Sequence, residues 1–124
     1  MSYYIKVRSE EDAYLSVYAN DFRVIVAEGN ASNAYKWNLN PLSSNQLVAR
    51  HDVTKRYLEI AEQGAVNAIT VANDNTNLFF QVNDDTLIAN KTVAVPVYMK
   101  IVAKQAVSTI IGADATHFSI ISAE

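Results

Sequence analysis

Between Ala68 and Ile101 the chain alternates short apolar-polar runs with knots of Asn, Asp and Thr. The runs are Ala68 to Val71, Asn77 to Val82 and Thr92 to Ile101; the knots are Asn73-Asp74-Asn75-Thr76 and Asn83-Asp84-Asp85-Thr86, with Asn90-Lys91. Successive side chains of a strand point to opposite faces, so such alternation predicts half-buried strands that fold back on one another at the polar knots. The run Val93, Val95, Val97, Met99 and Ile101 carries the strongest signal. Burying each such side chain is worth on the order of 1.5 to 3 kcal/mol, which makes this strand the expected anchor of the core. Pro96 has no N–H to give to a ladder and belongs at an edge, at a bulge, or where a strand changes sheets.

The N-terminal part obeys the same rule. Tyr3, Ile5 and Val7 oppose Tyr4, Lys6 and Arg8; Leu15 and Val17 oppose Tyr14, Ser16 and Tyr18; Phe22, Val24 and Val26 oppose Arg23, Ile25 and Ala27. Turn residues separate these three strands at Ser9 to Asp12, at Asn20-Asp21, and at Gly29 to Asn33. Tyr35 to Leu39 follows, ended by Asn40-Pro41, and His117 to Ile121 reads as a closing strand. Residues 52–63 fit two templates. As a helix they have Asp52 as N-cap, Val53, Tyr57, Ile60 and Ala61 at helical spacing, and Gly64 as the stop. As a strand, Leu58 and Ile60 alternate with Tyr57, Glu59 and Ala61. No internal repeat at solenoid periods and no low-complexity linker is visible. The expected fold is an all-β, antiparallel two-layer β-sandwich, immunoglobulin-like or jelly-roll-like, in a single domain spanning residues 1–124, with a short helix or a strand at 52–63.

Composition narrows the function classes. Half of the 124 residues are apolar and only 19% are charged, which suits a folded chain with a core of its own. The net charge of −3 lacks the basic footprint that dominates nucleic-acid affinity, so no nucleic-acid partner is expected. Without cysteine there is neither a disulfide framework nor thiolate zinc ligation. The most apolar stretch, Val93 to Ile111, is broken by Pro96, Lys100, Lys104 and Gln105, so no membrane span is expected. The Met1 to Arg8 segment has no basic leader followed by an apolar stretch and does not read as a secretory signal.

Candidate chemistry is sparse. His51 stands beside Asp52 and His117 three residues after Asp114, but no nucleophile elbow, phosphate-cradling loop or paired-His zinc motif accompanies them. Catalytic residues, cofactors and metals are therefore expected to be none. Asn73, Asn75, Asn77 and Asp84 faintly echo a calcium loop, yet Leu78 stands where the sharp turn needs Gly, and an Asx turn explains them better. Asn30-Ala31-Ser32 and Asn90-Lys91-Thr92 match a glycosylation acceptor and read more simply as turns. Tyr4, Tyr14 and Tyr18 lie on the more polar strand faces, and Phe79 faces away from Leu78 and Phe80. Aromatic groups so placed are candidate interface residues.

From Tyr57 to Ile121 the pattern resembles an immunoglobulin-like β-sandwich of bacterial and phage surface modules. The residues that carry this resemblance are Ile69 to Val82 and Leu87 to Val97, in which a strand, an Asn-rich turn, a second strand and a Val-Pro-Val run succeed one another. Paired cysteines are absent and Trp37 falls outside the matching half, unlike antibody domains. The resemblance implies a scaffold or adhesion role with no catalytic residues. The expectation is a non-enzymatic structural protein that docks onto protein partners, including copies of itself, as a phage virion component: a capsid decoration, head-fibre or tail protein assembled in host cytoplasm. The alternatives are a secreted or periplasmic adhesion or carbohydrate-binding sandwich whose leader was removed, and a small ligand-binding or enzymatic β-barrel.

Overall fold

Among the described residues twelve strands form, most of them where apolar residues recur at every second position. The structure, a computed structural model, describes residues 2–43, 46–60, 66–70, 79–83, 85–89 and 95–123. The strands are β1 (Ser2–Val7), β2 (Ala13–Val17), β3 (Val24–Glu28), β4 (Lys36–Ser43), β5 (Gln46–His51), β6 (Tyr57–Glu59), β7 (Asn67–Ile69), β8 (Phe79–Asn83), β9 (Thr86–Ala89), β10 (Tyr98–Val102), β11 (Gln105–Thr109) and β12 (Phe118–Ser122).

Antiparallel pairing links β12, β1, β4, β5, β8 and β9 in succession. The Phe118 N–H then donates to the Asp85 carbonyl at 2.7 Å, bringing the approach to β9 back alongside β12. The other six strands form three hairpins, β2–β3, β6–β7 and β10–β11. These converge: the Val24 N–H donates to the Val66 carbonyl at 2.8 Å, Val66 to Ala106 at 3.1 Å, and Val26 to Lys104 at 2.8 Å.

All twelve strands thus belong to one curled sheet, and the expected two-layer sandwich is not formed. Period-two alternation fixes which face of a strand is buried but leaves its neighbours open. Strands wound around a common core satisfy it as well as two stacked layers do.

The registers reveal a threefold repetition of four strands. Leu15, Leu58 and Met99 occupy equivalent positions in β2, β6 and β10, and all three are fully buried. Val24, Val66 and Ala106 stand at the meeting of the hairpins, again fully buried. A tyrosine precedes the first set in every lobe, at Tyr14, Tyr57 and Tyr98, each paired with the first strand of its lobe through Lys6, Arg50 and Ile88. Apart from that tyrosine and the Leu15, Leu58 and Met99 position, the lobes share positions more than residue types, which hides the repeat in the letters.

Three local expectations change. Residues 52–54 form a turn, and β6 follows, so the strand reading of this segment holds for Tyr57–Glu59. Asp52 caps no helix, because the His51 carbonyl and ring collect the Lys55 and Thr54 N–H groups instead, at 2.9 and 3.3 Å. The long strand expected up to Ile101 begins at Tyr98: Val97 and Met99 are buried, but Val95 is 48% exposed beside Pro96. β4 runs on through Pro41 to Ser43, with a register shift against β5 between those two residues.

Candidate functional site

Tyr18 directly follows β2 at the tip of the first hairpin. Its N–H donates to the Arg23 carbonyl at 2.9 Å and its carbonyl accepts from Phe22 at 2.7 Å, closing a turn that carries Asn20 and Asp21. The Tyr18 ring remains 38% exposed. Asn20 Nδ2 donates to its hydroxyl at 3.0 Å, and the Arg23 guanidinium lies 5.0 Å from the ring centroid, a cation–π distance. Asp21 Oδ1 accepts the Arg23 backbone N–H at 3.2 Å. Its Oδ2 lies 3.4 Å from Arg23 Nε, an ion pair that leaves the buried Nε–H without a hydrogen bond.

The third lobe completes the site. β10 and β11 are joined by Ala103 and Lys104, both left-handed at φ 52° and 62°, as a two-residue hairpin of primed type requires. Gln105 follows and accepts Arg23 Nη1 on Oε1 at 3.4 Å. Lys104 Nζ lies 3.0 Å from Glu28 Oε1. Tyr18, Arg23, Ile25, Val26, Ala103, Lys104 and Gln105 together line an open cleft of about 300 Å³ between two lobes. Non-glycine left-handed residues cost roughly 1 to 3 kcal/mol each and concentrate where function holds them.

A second cleft, about 350 Å³, is lined by Arg8, Ser9, Ala115, Thr116 and His117. Its lining includes no Phe, Tyr or Trp. Arg8 is paired with Asp85, and Thr116 Oγ1 accepts the Ile101 N–H at 2.9 Å.

Of the four expected interface residues, the structure brings Tyr4 and Tyr14 together, with ring centroids 5.4 Å apart, and Tyr14 stacks on Tyr35 at 5.6 Å. Tyr14 is only 9% exposed, so these rings largely cover one another. Tyr18 is separate and lies in the cleft. Phe79 opens β8, and its side chain lies outside the described residues, as do Asn73, Asn75, Asn77 and Asp84 of the calcium reading and Asn90-Lys91-Thr92. Asn30-Ala31-Ser32 is exposed between β3 and a short 3-10 turn, Asn33–Tyr35. Sequence reasoning missed Arg23, Lys104 and Gln105. The Asn20-Asp21 turn and the polar break at Lys104 and Gln105 were the only signal, and nothing in their spacing said that the two hairpins meet.

The histidines separate by environment. His51 is 2% exposed and takes the register position that Val7 and Ala89 hold in the other lobes. Its Nε2 lies 2.7 Å from the Ala34 carbonyl, which can only accept, so Nε2 carries the proton and Nδ1 accepts from Thr54. Burial holds its pKa below the ordinary 6.5, against the opposing pull of the Ala34 hydrogen bond and the Asp52 charge. It is a structural clamp with its lone pair already engaged. His117 is exposed, near the second cleft. Among the described residues no three His, Asp or Glu side chains gather as metal ligands, and no helix is long and apolar enough to cross a membrane.

No family model and no curated protein matches the chain. Solved structures do. The β-trefoil lectin of the Vibrio vulnificus hemolysin/cytolysin, solved with N-acetyl-D-lactosamine bound, superposes with a TM-score of 0.79 at 16% identity, over 97% of this chain and 93% of that one. The fold is a β-trefoil. A designed threefold-symmetric protein, ThreeFoil, gives 0.76 at 13% identity over 98% of both chains. Polyporus squamosus lectin, solved with the epitope Neu5Aca2-6Galb1-4GlcNAc, gives 0.74 at 13% over 96% of this chain, which spans about half of that lectin's length. An endo-β-galactosidase from Clostridium perfringens also contains such a unit, over 32% of its chain.

The β-trefoil replaces the immunoglobulin-like resemblance. Of the residues that carried it, the Asn-rich turn lies outside the described residues and Val95-Pro96-Val97 precedes β10 instead of forming a strand, while the described strands make one curled sheet in place of two layers. The virion reading, which came from composition, gains no support from the similar structures, which are lectins, a designed protein and a glycosidase.

Proposed function

We propose that this chain is a carbohydrate-binding module that holds a saccharide in the Tyr18 cleft and does not turn it over. The observation that carries this reading is the exposed Tyr18 ring set among planar polar groups, Asn20, Arg23 and Gln105, delivered by two lobes. A pyranose has an apolar C–H face and a rim of hydroxyls; an aromatic ring packs against the first, while amide and guanidinium groups hydrogen-bond the second. A cleft of about 300 Å³ is the lower end of ligand-pocket size and suits one or two sugar rings. The sugars bound in the two lectin structures support the same class of ligand.

The test is a glycan-array screen followed by calorimetry on wild type and Tyr18→Ala. Binding to at least one saccharide, weakened about tenfold or more by the substitution, is expected, since losing a stacked ring costs roughly 1.4 kcal/mol or more. Saccharide binding that Tyr18→Ala leaves unchanged overturns the assignment of the site.

A further inference from the structure

We infer that the saccharide held here is acidic, carrying a ring carboxylate, and that each chain holds one. This rests on the saccharide reading and adds the ligand's charge and number. The polar side chains lining the cleft are Tyr18, Arg23, Lys104 and Gln105. Tyr18 Oη already accepts from Asn20, so its proton is left to donate. Gln105 Oε1 already accepts from Arg23 Nη1, so its amide N–H groups are left to donate. Arg23 and Lys104 can only donate.

The carboxylates that balance these cations, Asp21 and Glu28, do not line the cleft. The Lys104–Glu28 pair is solvated, with side chains 67% and 56% exposed, and the Arg23–Asp21 pair is partly so, at 38% and 53%. Solvated pairs of this kind are weak, so they orient Arg23 and Lys104 without satisfying them. A neutral hydroxyl rim needs acceptors and donors in balance, whereas here one lone pair each on Tyr18 Oη and Gln105 Oε1 is already filled and two side chains carry positive charge. An ionised carboxylate needs donors alone and gains charge-assisted hydrogen bonds from a guanidinium and an ammonium together.

Stoichiometry follows from the register. Val102 and Gln105 hold in the third lobe the positions of Tyr18 and Arg23 in the first. In the second lobe the residues joining β6 to β7 include Ala61-Glu62-Gln63-Gly64-Ala65, with neither an aromatic ring nor a guanidinium. The first and third lobes thus supply the set of ring, guanidinium, ammonium and amide, and the residue types at the equivalent stretch of the second lobe do not repeat it.

The test is calorimetry of the full chain with matched ligands: galacturonate and N-acetylneuraminate, each against its methyl ester. At least one acid is expected to bind about tenfold or more tightly than its ester, with one site per chain. The preference should shrink in Lys104→Gln, an exposed position whose change spares the core, and also as salt rises from about 20 to about 300 mM. Acid and ester binding equally, both weakened by Tyr18→Ala, would overturn the inference while leaving the saccharide reading in place. Three sites per chain would overturn the stoichiometry. No binding by any of the four, while the array shows a neutral glycan that needs Tyr18, refutes the acidic class alone; no glycan bound at all refutes both.

Discussion

The imidazole of His51 meets the indole of Trp37 edge to face, their centroids 5.0 Å apart and their planes at 65°. The two residues are directly paired between β4 and β5. Trp37 Nε1 donates to the Leu15 carbonyl at 3.1 Å, and the Ala34 carbonyl gathers both His51 Nε2 and Ser16 Oγ, at 2.7 and 2.8 Å. One buried polar knot thus fastens β2, the Asn33–Tyr35 turn, β4 and β5 together. A neutral imidazole is what that knot requires.

Stability should therefore depend on pH through His51. Its folded pKa is lowered, chiefly by burial, while the unfolded ring titrates near 6.5. Between these values the unfolded state binds more protons, so stability is full above about pH 6.5, declines as pH falls below it, and levels off once the folded ring is also protonated. Urea midpoints measured from pH 8 to 5 should show this decline in wild type and a flatter profile in His51→Gln.

The three equivalent core positions make a sharper contrast than any surface change. Leu58→Ala should cost about 2 to 5 kcal/mol, because Leu58 is fully buried and the space it leaves collapses only in part. Val53→Ala, at 61% exposure only five residues away, should stay within about 0.5 kcal/mol. Chemical denaturation of the two variants checks both values.

Tyr14 separates packing from assembly. It is covered by Tyr4 and Tyr35. Tyr14→Ala is expected to lose about 2 to 4 kcal/mol of stability while leaving the particle mass in light scattering unchanged. A change of mass with little loss of stability would instead make the tyrosine ladder a docking surface.

How much of this was legible in the chain depends on the level of structure. Ile5 and Val7, Leu15 and Val17, and Val24 and Val26 were marked as inward by alternation alone, and all are buried. Alternation is local, so it reached the strands and their faces. It did not reach β5, whose polar Gln46, Arg50 and His51 break the pattern, nor the order of strands around the core. The clamp role of His51 was not legible, because a buried polar residue gives no signal until its partners at Ala34 and Thr54 are in place. The cleft was hidden for the same reason: Arg23 and Gln105 lie far apart in sequence and meet only when the first and third hairpins close on each other.

The Ala103-Lys104 turn should show a trade between stability and binding. Replacing this pair by Asn-Gly suits the left-handed backbone and should add about 1 kcal/mol of stability, while removing the ammonium group from the cleft. Thermal melts should rise and affinity for the acidic ligand should drop in the same variant.

The most direct measurement is a two-dimensional NMR titration of the labelled chain with an array-selected saccharide. The account predicts that amide shifts concentrate at residues 18–25 and 103–106, on the two hairpins that form the cleft. Shifts gathered instead around Tyr57 or Tyr98, or spread equally over the three lobes, would contradict it.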